Sequence, residues 1–139
     1  MYYSYMNNTV VYSLICAAHT IEDQLEEVLA EVNLSTPKFA ALAKMAAEGQ
    51  PISLSDLAAK LTCVRSNITQ LVDRLEKDGL VRRMDHPSDR RAVRAELTPL
   101  GRERFEAGLE ATNKVHKAIE KKLSATEQKT LEQALKALT

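Results

Sequence analysis

No uninterrupted apolar stretch of this chain approaches the roughly 18 to 20 residues that a bilayer span requires, so a membrane partner is not expected. The first eight residues, Met1 to Asn8, also lack the basic-then-apolar order of a secretory leader, and a cytoplasmic location is the expectation. Cysteine is scarce. Cys16 and Cys63 are too few for a disulfide framework, and apolar neighbours (Leu14, Ile15 and Ala17; Leu61 and Val64) predict partly buried thiols in a reducing compartment. The chemistry of an enzyme is missing as well: there is no nucleophile elbow, no phosphate loop and no Cys/His/carboxylate cluster at metal-ligand spacing. Neither catalysis, nor a resident metal, nor a cofactor is expected.

Charge of one sign is lacking too. Nineteen basic and nineteen acidic side chains cancel to a formal net charge of +0, so overall charge does not argue for a nucleic-acid partner. The distribution says more than the sum. Between residues 1 and 40 five acids face one base, a net of −4, whereas between Arg65 and Arg94 eight bases stand against five acids, a net of +3. With 45% hydrophobic and 27% charged residues over 139 positions, disorder and fibrous folds are excluded, and a single domain spanning 1–139 is expected.

Glycine and proline number four each, few enough to read as punctuation between periodic stretches. Val10, Leu14, Ile21, Leu25, Val28 and Val32 recur at helical spacing and predict a long first helix over about 9–32. Thr36 before Pro37 reads as a cap, and Gly49 as a stop, for a second helix over 37–48 with Phe39, Leu42, Ala43 and Ala46 on its buried side. Ser53-Leu54-Ser55-Asp56 opens a short third helix that ends near Leu61. A turn at 62–64 leads to a fourth helix over about 65–78, with Ile68, Leu71, Val72 and Leu75 on one face and Gly79 as its terminator. Alternation then replaces helical spacing: 80–84 and 92–97 read as strands around the turn-forming Asp85-His86-Pro87-Ser88-Asp89, a β-hairpin with a charged tip. Thr98-Pro99 starts another long helix carrying Phe105, Leu109, Thr112, Val115, Ile119 and Leu123, and the capping box Ser124 to Glu127 starts a last one with Leu131, Leu135 and Leu138.

A short helix, a turn, a longer helix and a basic hairpin form the order of a winged helix-turn-helix. The residues themselves resemble the MarR family of regulators: Leu57-Ala58-Ala59-Lys60-Leu61, the run from Asn67 through Asp73-Arg74-Leu75 to Gly79-Leu80-Val81, and Asp89-Arg90-Arg91 leading into Leu97-Thr98-Pro99-Leu100-Gly101. The resemblance covers almost the whole chain. It implies a mainly α fold with a small β-hairpin wing, a DNA-binding lobe over about 37–98, and dimerising helices over about 1–32 and 99–139. It also implies a sequence-specific regulator of double-stranded DNA, by family habit a repressor released by a small ligand or an oxidant. The sequence supports a homodimer independently, because long amphipathic helices at both ends carry more apolar stripe than a small central lobe can cover.

Leu71, Leu75 and Leu80 read as core. On the other side of the fourth helix, Arg65, Ser66, Asn67, Thr69, Gln70 and Arg74 are side chains able to read base edges or bind phosphate in the major groove. The resemblance puts Arg91 of the wing near the minor groove, oriented by Asp89, with Arg90 beside it. Ser53 and Ser55 either offer hydroxyl and backbone N–H groups to a phosphate or simply cap their helix. One departure is Val64, which stands before Arg65 where a capping residue is preferred.

The resemblance also implies a small aromatic effector, often a phenolic or carboxylate compound, bound between the dimer helices and the lobe, which makes Cys16, His19 and Phe39 candidates for a pocket or sensor. Oxidant-sensing relatives carry their cysteine nearer Val11 and have tyrosines where this chain has Ile15 and Leu25, so Cys16 reads first as a buried structural thiol. Metal binding by His19 with His116 lacks the further ligands zinc needs. All four tyrosines lie within the first twelve residues, which points to an amino terminus packed on something, the partner chain first. The competing class is a winged-helix protein-interaction module that binds no DNA, a reading that Arg90 and Arg91 oppose.

Overall fold

The computed structural model describes residues 9–61, 67–86 and 88–139, with the backbone alone at 86 and 89–92. In chain order the elements are α1 (Val10–Ala30), α2 (Thr36–Glu48), β1 (Ile52–Ser53), α3 (Leu54–Lys60), α4 (Ile68–Lys77), β2 (Val81–His86), β3 (Asp89–Leu97), α5 (Pro99–Lys121) and α6 (Ala125–Lys136). The expected mainly α winged helix-turn-helix is the fold observed.

Local side-chain chemistry sets most boundaries. The Thr98 hydroxyl accepts from the Gly101 amide with Pro99 in the first helical position, and Ser124 and Glu127 exchange both bonds of a capping box. Two starts are corrected. The cap of α2 is Ser35, whose side chain accepts from the Lys38 amide, so Thr36 is already helical and Pro37 follows it. α4 begins at Ile68, not near Arg65, because the Asn67 side chain is the cap. That choice removes the difficulty of Val64, since the helix does not start there.

The strands form one antiparallel sheet in the order β1-β3-β2. The wing strands pair Val81 with Leu97 and Arg83 with Ala95, and His86 with Asp89, so strand pairing extends into the segment expected as a five-residue turn. β1 was not expected from the sequence. Its two residues sit opposite Ala95 and Arg94, which ties the entry to α3 to the foot of the wing.

The core gathers Leu42 and Met45 of α2, Leu57 of α3, Leu71, Val72 and Leu75 of α4, Leu80, Val81 and Ala95 of the wing, and Leu29 at the end of α1. On α2 the buried side is Ala41, Leu42 and Met45, with Ala43, Ala46 and Phe39 only half-buried. At the end of α4, Gly79 takes φ +76, and the Leu80 amide bonds back to the Leu75 carbonyl at 2.9 Å, a reversal that a residue with a Cβ resists. The Leu80 carbonyl then receives the Thr98 amide at 3.1 Å. Gly101 lies so close to that same carbonyl that a Cβ would stand 1.9 Å from its oxygen. A glycine there lets α5 press onto the end of the lobe.

Candidate nucleic-acid interface

α3 and α4 make the helix-turn-helix. The Ser53 hydroxyl accepts from the Asp56 amide at 3.1 Å, so of the two readings of Ser53 its capping role is realised, while Ser55 lies exposed in the first turn. The Asn67 side-chain oxygen accepts from the Thr69 and Gln70 amides at 3.1 and 3.3 Å. Its oxygen thus serves the helix that presents its neighbours. Thr69, Gln70 and Arg74 are exposed on α4, as expected of base- or phosphate-contacting side chains. Arg65, Ser66 and Cys63 lie outside the described residues, and so do the side chains of Asp89, Arg90 and Arg91, whose backbone belongs to β3.

Two wing arginines are committed to acids. Arg82 pairs across the sheet with Glu96. Arg83 turns toward α4: one guanidinium nitrogen pairs with the Asp73 carboxylate and reaches the Thr69 carbonyl at 3.4 Å, and the Glu76 carboxylate accepts the Arg83 amide at 3.1 Å. Counting charge along the chain gave no hint of this. A signal existed in spacing, since Thr69, Asp73 and Glu76 share one face of a helix and Gly79 folds the chain back past that face.

The proposed sensing residues separate. Cys16 and His19 are exposed on α1, one turn apart, which corrects the expectation of a buried thiol. The neighbouring Cys16 thiol raises the Tyr12 pKa, through hydrogen bonding to the phenol first and through charge second. Phe39 is engaged elsewhere: its ring stacks on Phe105, with centroids 5.8 Å apart, and covers Gly108, where a Cβ would stand 2.6 Å from it. A groove of about 460 Å³ runs along α5 instead, lined by Glu106, Leu109, Glu110, Thr112, Asn113 and His116. Among the described residues, no three His, Cys, Asp or Glu side chains could hold a metal, and no helix is long and apolar enough to cross a membrane.

The sequence pattern of the MarR family matches residues 34–93. The HTH-type transcriptional regulator FarR of Neisseria gonorrhoeae is 30% identical over 79% of this chain and 75% of its own length. A mutant of MarR from E. coli, solved in complex with operator DNA, superposes with a TM-score of 0.80 at 26% identity over 90% of this chain and 89% of that one. The organohalide-sensing regulator RdhR in its 2,4-dichlorophenol-bound form superposes with a TM-score of 0.78 at 27% identity, covering 91% and 75% of the two chains. The chain spans about 60% of the length of the first curated relatives it matches. Taken with the capped α4 and the hairpin behind it, these likenesses mean that the chain belongs to the MarR family.

Proposed function

We propose that this protein is a sequence-specific, double-stranded DNA-binding transcriptional regulator acting as a homodimer on a pseudo-palindromic operator. The observation that carries the reading is the exposed polar face of α4, with Thr69, Gln70 and Arg74 presented by the Asn67 cap beside an arginine-bearing hairpin, on a fold shared with a chain solved on operator DNA. In this reading α4 enters the major groove, where each base pair shows a distinct donor and acceptor pattern, and Arg91, steadied by Asp89 and flanked by Arg90, enters the minor groove. The DNA contacts we assign further include Arg65, Ser66 and Asn67, with Ser53 and Ser55 as contacts to the phosphate backbone.

Dimerisation is supported by apolar side chains left open at both ends of the chain, Val10, Val11 and Ile15 on α1 and Leu131, Leu135 and Leu138 on and after α6. Burying such stripes against a second copy yields roughly 25 cal/mol per Å² of apolar surface. The effector we assign is a small phenol, after the dichlorophenol held by RdhR. An uncharged phenol suits a groove flanked by Glu106 and Glu110 better than a carboxylate does, and Cys16 and His19 of α1 are the further sensing candidates. By family habit the bound state represses.

Salt-dependent binding to the DNA flanking the protein's own gene tests the reading. Arg91→Ala weakens binding to nearly all duplexes and reduces the salt slope by about one, whereas Gln70→Ala costs about 1 to 3 kcal/mol at one position of each half-site. A folded protein that prefers no duplex over a scrambled one instead points to a winged-helix module that binds protein.

A further inference from the structure

Arg83 counts toward the basic excess at the middle of the chain, and a basic side chain on the first wing strand of a DNA-binding lobe would ordinarily be assigned to phosphate. Its surroundings say otherwise. The guanidinium pairs with Asp73 and donates to the Thr69 carbonyl at 3.4 Å, a second nitrogen lies 4.0 Å from Glu76, and the Arg83 amide donates to the other Glu76 oxygen at 3.1 Å. The side chain is only 30% exposed, less than Asp73 at 47% or Glu76 at 44%, so the cation lies beneath the acids that hold it. Thr69, Asp73 and Glu76 are the second, sixth and ninth residues of α4 and share one stripe, while Gln70, Arg74 and Lys77 form the adjacent one.

Resting on the DNA-binding reading above, we propose that Arg83 is a positioning residue for DNA recognition, clamping the Thr69–Asp73–Glu76 stripe of α4 to β2 so that recognition helix and wing keep one fixed angle. The clamp has two consequences. Its single positive charge offsets part of the negative charge of two carboxylates that would otherwise repel the phosphate backbone, and it points the Gln70, Arg74 and Lys77 stripe outward by anchoring its neighbour. Arginine suits the place because its planar fork serves a carboxylate and a carbonyl together, which the single ammonium of lysine does not reproduce.

The competing role, a phosphate contact, predicts opposite signs. Asp73→Asn removes a negative charge beside a polyanion, so without a clamp it strengthens DNA binding. With the clamp it weakens binding, because Arg83 loses its partner. Arg83→Lys keeps a charge that would satisfy a phosphate but loses the fork.

The experiment selects a preferred duplex from a random-sequence pool with the parent protein, then measures binding of parent, Asp73→Asn and Arg83→Lys to that duplex and to a scrambled one across a salt series. Thermal melts confirm that each variant is folded, and Asp73→Asn, isosteric and half-exposed, carries the test where Arg83→Lys fails to fold. We expect each variant to lose about tenfold or more on the selected duplex, with affinity for the scrambled duplex unchanged in Arg83→Lys and unchanged or raised in Asp73→Asn. Asp73→Asn binding as tightly as the parent or more tightly overturns the proposal, as does Arg83→Lys with full affinity, or equal losses on both duplexes. A parent protein that enriches no duplex overturns the DNA-binding reading itself, and the clamp with it.

Discussion

The central lobe and the terminal helices carry the same kind of sequence and meet opposite fates. Both are amphipathic at helical spacing, yet Leu42, Leu57, Val72, Leu75 and Leu80 are fully buried, whereas α1 buries only Leu29 of its 21 residues and α6 buries none of its 12. In the lobe, three short helices and a sheet converge on one point, and each apolar face finds several others. At the ends, long helices project beyond that point. Periodicity reports that a face is apolar; it does not report what covers the face.

Core truncation makes the contrast sharpest. Leu75→Ala deletes a side chain with no exposure and lowers stability by about 2 to 5 kcal/mol, by the same amount at every protein concentration. Leu135, 44% exposed in the single chain, behaves differently. Its replacement by alanine lowers a denaturation midpoint that falls further on dilution, as required when the missing cover is a second copy. Denaturant titration at two concentrations, with sedimentation alongside, reads both. A Leu135→Ala effect within about 0.5 kcal/mol and independent of concentration would mean that the terminal stripes are simply solvated.

Where lobe and terminal helices join, the second test applies. Gly101→Ala places a methyl group 1.9 Å from the Leu80 carbonyl oxygen, a backbone atom that also receives the Thr98 amide. Since backbone cannot rotate away as a side chain can, we expect a loss of about 3 kcal/mol, the upper part of the overpacking range. Gly108→Ala meets side chains and no backbone, the Phe39 ring at 2.6 Å and a Leu34 methyl at 3.1 Å, and costs less. Thermal melts of the two variants order these effects.

What the sequence made legible follows from how local each cause is. The capping box at Ser124 and Glu127 and the Thr98-Pro99 start involve residues three apart, and both stand as read. Ser35 and Thr36 are adjacent hydroxyl residues before one proline, so which of them caps depends on the path the chain takes out of α1, and the local pattern does not encode that path. β1 exists only because Ala95 and Arg94 arrive opposite it from forty residues away. The same distance hid the site's wiring. Arg82 and Arg83 look like free cations until the hairpin register sets one against Glu96 and the turn at Gly79 lays the other on Asp73. Phe39 looked like a pocket residue because its partner, Phe105, lies in α5, on the far side of the wing in sequence.

A smaller effect concerns the most exposed helix. The Ser124 hydroxyl accepts from the Glu127 amide at 3.1 Å, and the Glu127 carboxylate accepts from the Ser124 amide at 2.9 Å, which holds the Glu127 pKa below the ordinary carboxylate range. Ser124→Ala costs about 1 kcal/mol. For Glu127 the sign follows from the lowered folded-state pKa: its contribution is present above the ordinary carboxylate range and lost as pH falls through the lowered value. The difference between parent and Glu127→Ala therefore shrinks on acidification, as melts at neutral and acid pH show. A difference that grows in acid would contradict the cap.

The smallest effect lies inside the lobe. Lys38 of α2 pairs with Asp78 at 2.8 Å, with side chains 24% and 38% exposed, and Asp78 is the C-cap of α4. A partly solvated pair of this kind couples by about 0.2 to 1 kcal/mol, and salt screens it. The two single substitutions should not be equal. Asp78 places a negative charge at the negative end of the α4 dipole, an unfavourable site that Lys38 offsets. Asp78→Asn loses the pair and the repulsion together and stays nearly neutral, whereas Lys38→Ala loses the pair and leaves the repulsion, so it costs more. A double-mutant cycle at low and high salt measures the coupling. A value well above about 1 kcal/mol that resisted salt would mean that charge, as well as the apolar core around Leu75, holds α4 to the lobe, and would narrow the contrast between the two regions from the side of the lobe.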